Sequence, residues 1–310
     1  MPEKIPTSEW LSSKLDRLIE MTDLVSRECP GQYSEPDYGF WSIKKEIALM
    51  YWIWPFLQIA YKWFDSFYYI DLFAGSGLMK ADEVSFVGSP IVAIGSTLSD
   101  KKFSQYICLE VDESRKLILE KRAAVACRHF GTCDAKILQS DCNIELDKIL
   151  RECCPSENTC FLAFVDPQKI TDLKWTTLHT LLTHGKGDVI LNFPTMPIIR
   201  NLRVHKSESA ITDFFGDDSW REVEPNAEAI LEYFMRKISR YRGQVDSLPV
   251  KDEQNRRLYD LIFATGSRGM KNVLVDLKNR LNRIQTKDIR GLYSVVAGDQ
   301  KQLTGFLPEN

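Results

Sequence analysis

The chain has 310 residues, 44% of them apolar, which is enough for one large α/β domain with decoration or two small ones. A formal net charge of -3 excludes a uniformly basic nucleic-acid binder, so contact with phosphates needs a local positive patch. The eight cysteines (Cys29, Cys108, Cys127, Cys133, Cys142, Cys153, Cys154 and Cys160) include no C-x-x-C pair, so neither a disulfide framework nor a zinc site is expected.

No apolar leader opens the chain, and the most apolar stretch, Ile47 to Tyr61, is short, aromatic and carries Pro55, so no membrane span is expected and the cytoplasm is the expected compartment. Glu9 to Arg27 has helical spacing, with Leu11, Leu15, Leu18 and Ile19 on one face. Cys29 to Gly39 reads as a loop, and a second helix follows from Ser42 through Ile43, Ile47, Met50 and Tyr51. Short β-prone runs then alternate with helical stretches: Phe67 to Leu72, Tyr106 to Val111, Ala135 to Gln139, Phe161 to Val165 and Asp188 to Phe193. Such alternation predicts a largely parallel sheet covered on both faces. Ile211 to Arg242 reads as mainly helical, and Gln244 to Val250 with Leu258 to Thr265 as a C-terminal antiparallel hairpin. The expected units are an N-terminal helix and loop over 1–40, a Rossmann-like α/β domain over 41–270 and a C-terminal extension over 271–310.

The sharpest local signal is Ile70-Asp71-Leu72-Phe73-Ala74-Gly75-Ser76-Gly77, a strand running into small residues that let the backbone turn tightly and approach a ligand. In open α/β sheets ligands bind at this carboxyl edge. Asp71, Phe73, Ala74, Gly75 and Gly77 are therefore candidate cofactor-binding residues. Glu110 ends the next strand, where a carboxylate accepts hydrogen bonds from ribose hydroxyls, with Asp112 as the alternative and Asp141 as a candidate for the adenine pocket. Leu78-Met79-Lys80 supplies no third glycine, which disfavours a dinucleotide, and no Gly-Lys-Ser/Thr follows, which excludes a P-loop. With no Ser-His-Asp constellation and no G-x-S-x-G elbow, hydrolase chemistry is not expected.

Taken in order, these residues resemble the three-Cys-motif partner protein (TcmP) family. The resemblance rests on Trp41-Ser42-Ile43-Lys44-Lys45, the glycine loop, Gly88-Ser89-Pro90, Leu109-Glu110-Val111-Asp112, Phe164-Val165-Asp166-Pro167, Asp188 to Phe193 and Leu258 to Phe263. It spans roughly Tyr38 to Ser267. It implies a class I methyltransferase fold, S-adenosylmethionine as the cofactor and a three-cysteine-motif protein as a partner. The chain departs from the pattern after Asp166-Pro167, where Gln168-Lys169 stands in place of an aromatic residue and a glycine.

Methyl transfer needs the nucleophile placed in line behind the methyl group, and water excluded. The residues that do so belong at the ends of the fourth and fifth strands, which makes Asp166, Pro167, Asn192 and Phe193 the catalytic candidates, as a cradle for a base amine. The alternative for two of them is that Asp166 caps the next helix and Phe193 is core. Arg200 and Arg203, with His205 and Lys206, are candidates for substrate phosphates. Two functions fit: a methyltransferase, with a nucleic-acid base amine among its candidate substrates, or a non-catalytic subunit that keeps the cofactor or only the fold and works with another protein.

Overall fold

Seven strands form one sheet in the spatial order Ala135–Gln139, Gln105–Glu110, Ser66–Asp71, Thr159–Val165, Lys186–Phe193, Arg257–Thr265 and Gln244–Lys251, six of them running the same way and Arg257–Thr265 opposed. The computed structural model describes residues 7–29, 38–82, 84–97, 100–132, 135–153, 158–202 and 207–304. Helices α1 (Thr7–Glu28) and α2 (Trp41–Trp63) precede the first strand, β1 (Ser66–Asp71). After the glycine loop come a two-stranded ribbon, β2 (Leu78–Ala81) and β3 (Val84–Val87), and the short helix α3 (Ser89–Gly95). Strand and helix then alternate through β4 (Gln105–Glu110), α4 (Glu113–Phe130), β5 (Ala135–Gln139), α5 (Cys142–Cys153), β6 (Thr159–Val165), α6 (Trp175–Thr183) and β7 (Lys186–Phe193). Helices α7 (Thr195–Asn201), α8 (Glu208–Phe215) and α9 (Ala227–Ser239) lead to β8 (Gln244–Lys251) and β9 (Arg257–Thr265), and α10 (Arg268–Leu281) and α11 (Thr286–Thr304) follow.

This is the Rossmann-like α/β architecture, a largely parallel sheet covered on both faces and closed by an antiparallel C-terminal hairpin, that the sequence predicts. All seven residues of β6 are buried, as a strand covered on both faces must be. Successive side chains point to opposite faces, and they divide the core in two. Tyr69, Leu162 and Phe164 pack with α1, α2, α3, α4, α10 and α11, whereas Ile70, Phe161, Ala163 and Val165 pack with α5 through α9. The expected C-terminal hairpin forms, but β9 is the strand inserted against β7, leaving β8 at the edge and parallel to β7. The first helix joins the same core, packing on β3, α3, α4 and α11.

Two features beyond the sequence reading stand out. The residues after Gly77 form strands. They pair as the β2–β3 ribbon, and the chain returns so that Gly88 N–H donates to Gly77 O at 2.9 Å. The segment over 211–242 is mainly helical, as expected, with a break at Gly216, whose φ of +81° is left-handed and whose missing Cβ leaves room for the Trp175 ring. No helix among the described residues is long and apolar enough to cross a membrane; α2 carries Lys44, Lys45 and Glu46 in its first turns.

Candidate active site

The glycine loop is held from beneath and behind by two acids. Asp71 ends β1 fully buried and accepts from Phe73 N–H at 3.2 Å and from the Tyr69 hydroxyl at 2.9 Å, with the Ser89 hydroxyl as a third partner. Burial outweighs these bonds and pushes its carboxyl up to about 6. Behind the loop, Glu110 accepts from Gly75 N–H at 2.9 Å through Oε2 and from Asp112 N–H at 2.9 Å through Oε1. The Arg122 guanidinium donates to Ser76 O at 2.9 Å and completes the support. Gly75 and Gly77 have φ of +62° and +83°, the left-handed region that glycine enters without steric cost. A Cβ at Gly77 would also meet Leu119 at 2.9 Å, whereas one at Gly75 would meet nothing.

Opposite the loop stands a charged cluster. The Lys45 ammonium donates to Asp166 Oδ2, and Asn192 Nδ2 donates to Asp166 Oδ1 at 2.6 Å, so α2 and the ends of β6 and β7 meet on one carboxylate. Burial alone would lower the Lys45 pKa, but Asp166 and Glu46 outweigh it and hold the ammonium charged well above the usual lysine range. Glu46 is fully buried, and its Oε1 lies 3.7 Å from Lys45 Nζ, beyond hydrogen-bond distance. Neither Glu46 oxygen, nor Asn192 Oδ1, has a hydrogen-bond partner among the described residues. Burial pushes the Glu46 carboxyl up to about 8; Lys45 opposes the rise, and Asp166 and Asp71 add to it.

Loop and cluster face one cavity of about 360 Å³, within the range of small-ligand sites. Tyr38, Trp41 and Arg115 also line it, and Gln168 Nε2 donates to the Tyr38 hydroxyl at 2.7 Å across one side. Two carboxyl groups, Glu46 and Asp166, line the cavity with the cations Lys45, Arg115 and Lys169, and Asp71 stands behind the loop it holds. The unpartnered oxygens of Glu46 and Asn192 favour a ligand that brings N–H or O–H donors.

Phe73, Ala74, Gly75, Gly77, Asp166, Pro167 and Asn192 therefore come together around the cavity. Asp71 and Glu110 act through the loop they hold, and Asp112 is the N-cap of α4, accepting from Arg115 N–H at 2.8 Å. Asp141 is exposed and accepts from Asn143 N–H at 2.8 Å in the turn that opens α5, away from the cavity lining. Phe193 is core: strand alternation sends its ring to the opposite face from Asn192, 4.9 Å from Phe234 and 5.9 Å from Phe214. The two halves of the sequence alternative thus part, because Asp166 is an ion-pair centre and not a helix cap. Arg200 is exposed on α7, with its Nε donating to Met196 O at 3.3 Å, and does not line the cavity. Arg203, His205 and Lys206 lie outside the described residues.

Sequence reasoning missed the roles of Lys45 and Glu46. The signal was there: Lys44-Lys45-Glu46 inside a 23-residue helix otherwise rich in apolar residues. Lys44 turns the other way, donating to Ile284 O at 3.3 Å.

No protein-family model matches this chain, and no curated protein matches it. Solved structures share the fold in part. Protein LPL1258 from Legionella pneumophila has 12% identity and a TM-score of 0.47 over 75% of this chain and 90% of that one. An O-methyltransferase from Bacillus cereus in complex with SAH has 12% identity and a TM-score of 0.41 over 82% and 90%. The O-methyltransferase TomG from Streptomyces achromogenes, in complex with SAM, has 12% identity and a TM-score of 0.41 over 81% and 90%.

Proposed function

We propose that the protein is an S-adenosylmethionine-dependent methyltransferase. The observation that carries this reading is the meeting, in one cavity at the carboxyl edge of the sheet, of a left-handed glycine loop braced by Glu110 and the Lys45–Asp166–Asn192 cluster. The residues fit the cofactor: Gly75 and Gly77 let a ligand approach the loop closely, and the buried Glu46 and Asn192 oxygens without partners among the described residues suit a ligand that brings N–H donors. Bound there, S-adenosylmethionine supplies an electrophilic methyl group on a sulfonium.

The chain's own part is placement. Asp71 and Glu110 fix the loop before any ligand arrives, so little ordering cost falls on binding. Asp166 uses both oxygens on Lys45 and Asn192, which makes it a positioning residue and not a free base. It turns the Asn192 amide so that Oδ1 is left to accept an N–H or O–H from the incoming nucleophile. Tyr38 and Trp41 wall the cavity and exclude water. A nucleic-acid base amine suits such an acceptor, and Arg115, Lys169 and the exposed Arg200 supply positive charge on the same sheet edge. The resemblance to the TcmP family adds a three-cysteine-motif protein as the partner to seek.

One observation favours the second reading, a non-catalytic subunit. Neither strand end offers a ring to stack a base, since Gln168 replaces the expected aromatic and Phe193 is buried in the core. Calorimetric titration with S-adenosylmethionine, with NAD as the control, tests the cofactor. Micromolar binding that is lost in Glu110→Ala supports it, and no binding to either ligand leaves a fold kept for assembly. Turnover that survives Asp166→Ala at full rate removes Asp166 from the machinery.

A further inference from the structure

We propose that Glu46 is the counter-ion for the α-ammonium group of the cofactor's amino-acid half, and that cofactor binding therefore expels a proton from the protein. The inference rests on the methyltransferase reading above and assigns a residue that neither the glycine loop nor the Asp166 cluster accounts for.

The geometry is that of a buried carboxyl group without a partner. Glu46 is fully buried and lines the cavity, and both of its oxygens lack a hydrogen-bond partner among the described residues. A buried acceptor left unpaired is costly, and it persists where a ligand completes it. Lys45 does not complete it, because that ammonium is committed to Asp166 and stands 3.7 Å from Glu46. The groups facing Glu46 are Lys45 on its own helix, Asp71 and Tyr69 from β1, Asp166 from the end of β6 and Tyr259 from β9. One cation among two further carboxylates and two phenols leaves room for a second positive charge.

The chemistry selects which charge. S-adenosylmethionine has two cationic groups, but the sulfonium carries no N–H and cannot satisfy an orphaned oxygen. The ammonium has three donors. Burial raises the Glu46 carboxyl to about 8, so at pH 6.5 it holds its proton. An ammonium placed against it favours the ionised form, and the proton leaves to solvent.

The test is calorimetry at pH 6.5 in several buffers of different ionisation enthalpy, which counts protons released per ligand bound. Three probes are compared: S-adenosylmethionine, S-adenosylhomocysteine, which keeps the ammonium and lacks the sulfonium charge, and methylthioadenosine, which lacks the amino-acid half. We expect release of about one proton with the first two and none with the third. In Glu46→Gln the release disappears, and affinity for the first two falls about tenfold or more while that for methylthioadenosine holds. Equal loss for all three ligands, release that persists in the variant, or release with methylthioadenosine overturns the assignment. Failure of the wild-type protein to bind any of the three overturns the methyltransferase reading itself. The wild-type comparison needs no variant, so a Glu46→Gln protein that does not fold leaves the test intact.

Discussion

Asn192 Nδ2 donates to Asp166 Oδ1 at 2.6 Å, while the other Asp166 oxygen receives Lys45. The pair closes a triangle between β6, β7 and α2, and it determines which atoms of the site remain available: Asn192 Oδ1 and the Glu46 carboxylate.

Removing the centre of that triangle leaves the buried Lys45 ammonium without its hydrogen-bonded carboxylate and with Glu46, 3.7 Å away, as its remaining counter-charge. Asp166→Ala is expected to cost about 3 kcal/mol, because a buried charge that loses its paired partner is the expensive outcome. The Lys45 side chain is only 5% exposed, so water does little to rescue it. Urea denaturation of Asp166→Ala beside the double variant Lys45→Met/Asp166→Ala checks this; a double variant no more stable than the single one refutes the cause.

Gly75 and Gly77 separate backbone cost from crowding. Gly75→Ala meets open space and carries only the left-handed penalty, about 1 kcal/mol. Gly77→Ala adds a clash with Leu119 and is expected to cost about 1–2 kcal/mol more. Thermal unfolding of both variants should rank them in that order.

Phe193→Leu tests the placement of the ring. In the aromatic core the change costs about 1–2 kcal/mol and leaves S-adenosylmethionine affinity within about twofold, because the ring contacts Phe214, Phe215 and Phe234 and not the cavity. A selective loss of ligand binding in a folded Phe193→Leu protein would place the ring in the site.

Glu46 also leaves a mark on stability. Its carboxyl is raised by burial to about 8 from the ordinary value of 4.5. The folded state therefore holds a proton that the unfolded state releases, and the stability this contributes below pH 4.5 is lost as pH rises toward 8. Glu46→Gln has no such group, so its Tm relative to wild type should climb between pH 5 and pH 8. A constant difference over that range contradicts the raised value.

Much of the fold was legible because its signals are local. Ala135 to Gln139 matches β5 residue for residue, and the other sheet strands differ by two residues or fewer at each end. A strand buried on both faces has to be apolar, and its ends have to turn. The missing third glycine was legible too, but its structural basis was not: the β2–β3 ribbon separates Gly77 from α3, and a ribbon of two four-residue strands is too short to announce itself by period. Residues 211–242 read as mainly helical and are so, but the break at Gly216 was not legible, because the Trp175 ring that crowds this left-handed turn comes from a distant helix.

What the sequence by itself determined was the alternation of elements, the glycine loop and the acids that end β1 and β4, since strand period, backbone freedom and the chemistry of a strand end are properties of neighbouring residues. Only the tertiary structure decided which side chains meet. Lys45 and Asp166 are 121 positions apart, and Asn192 and Asp166 are 26. The same sheet turned Phe193 inward and Asn192 toward the cavity. A local pattern cannot encode such meetings, because packing α2 across the sheet edge is what brings Lys45 and Glu46 to the loop, and burial there is what changes their charge.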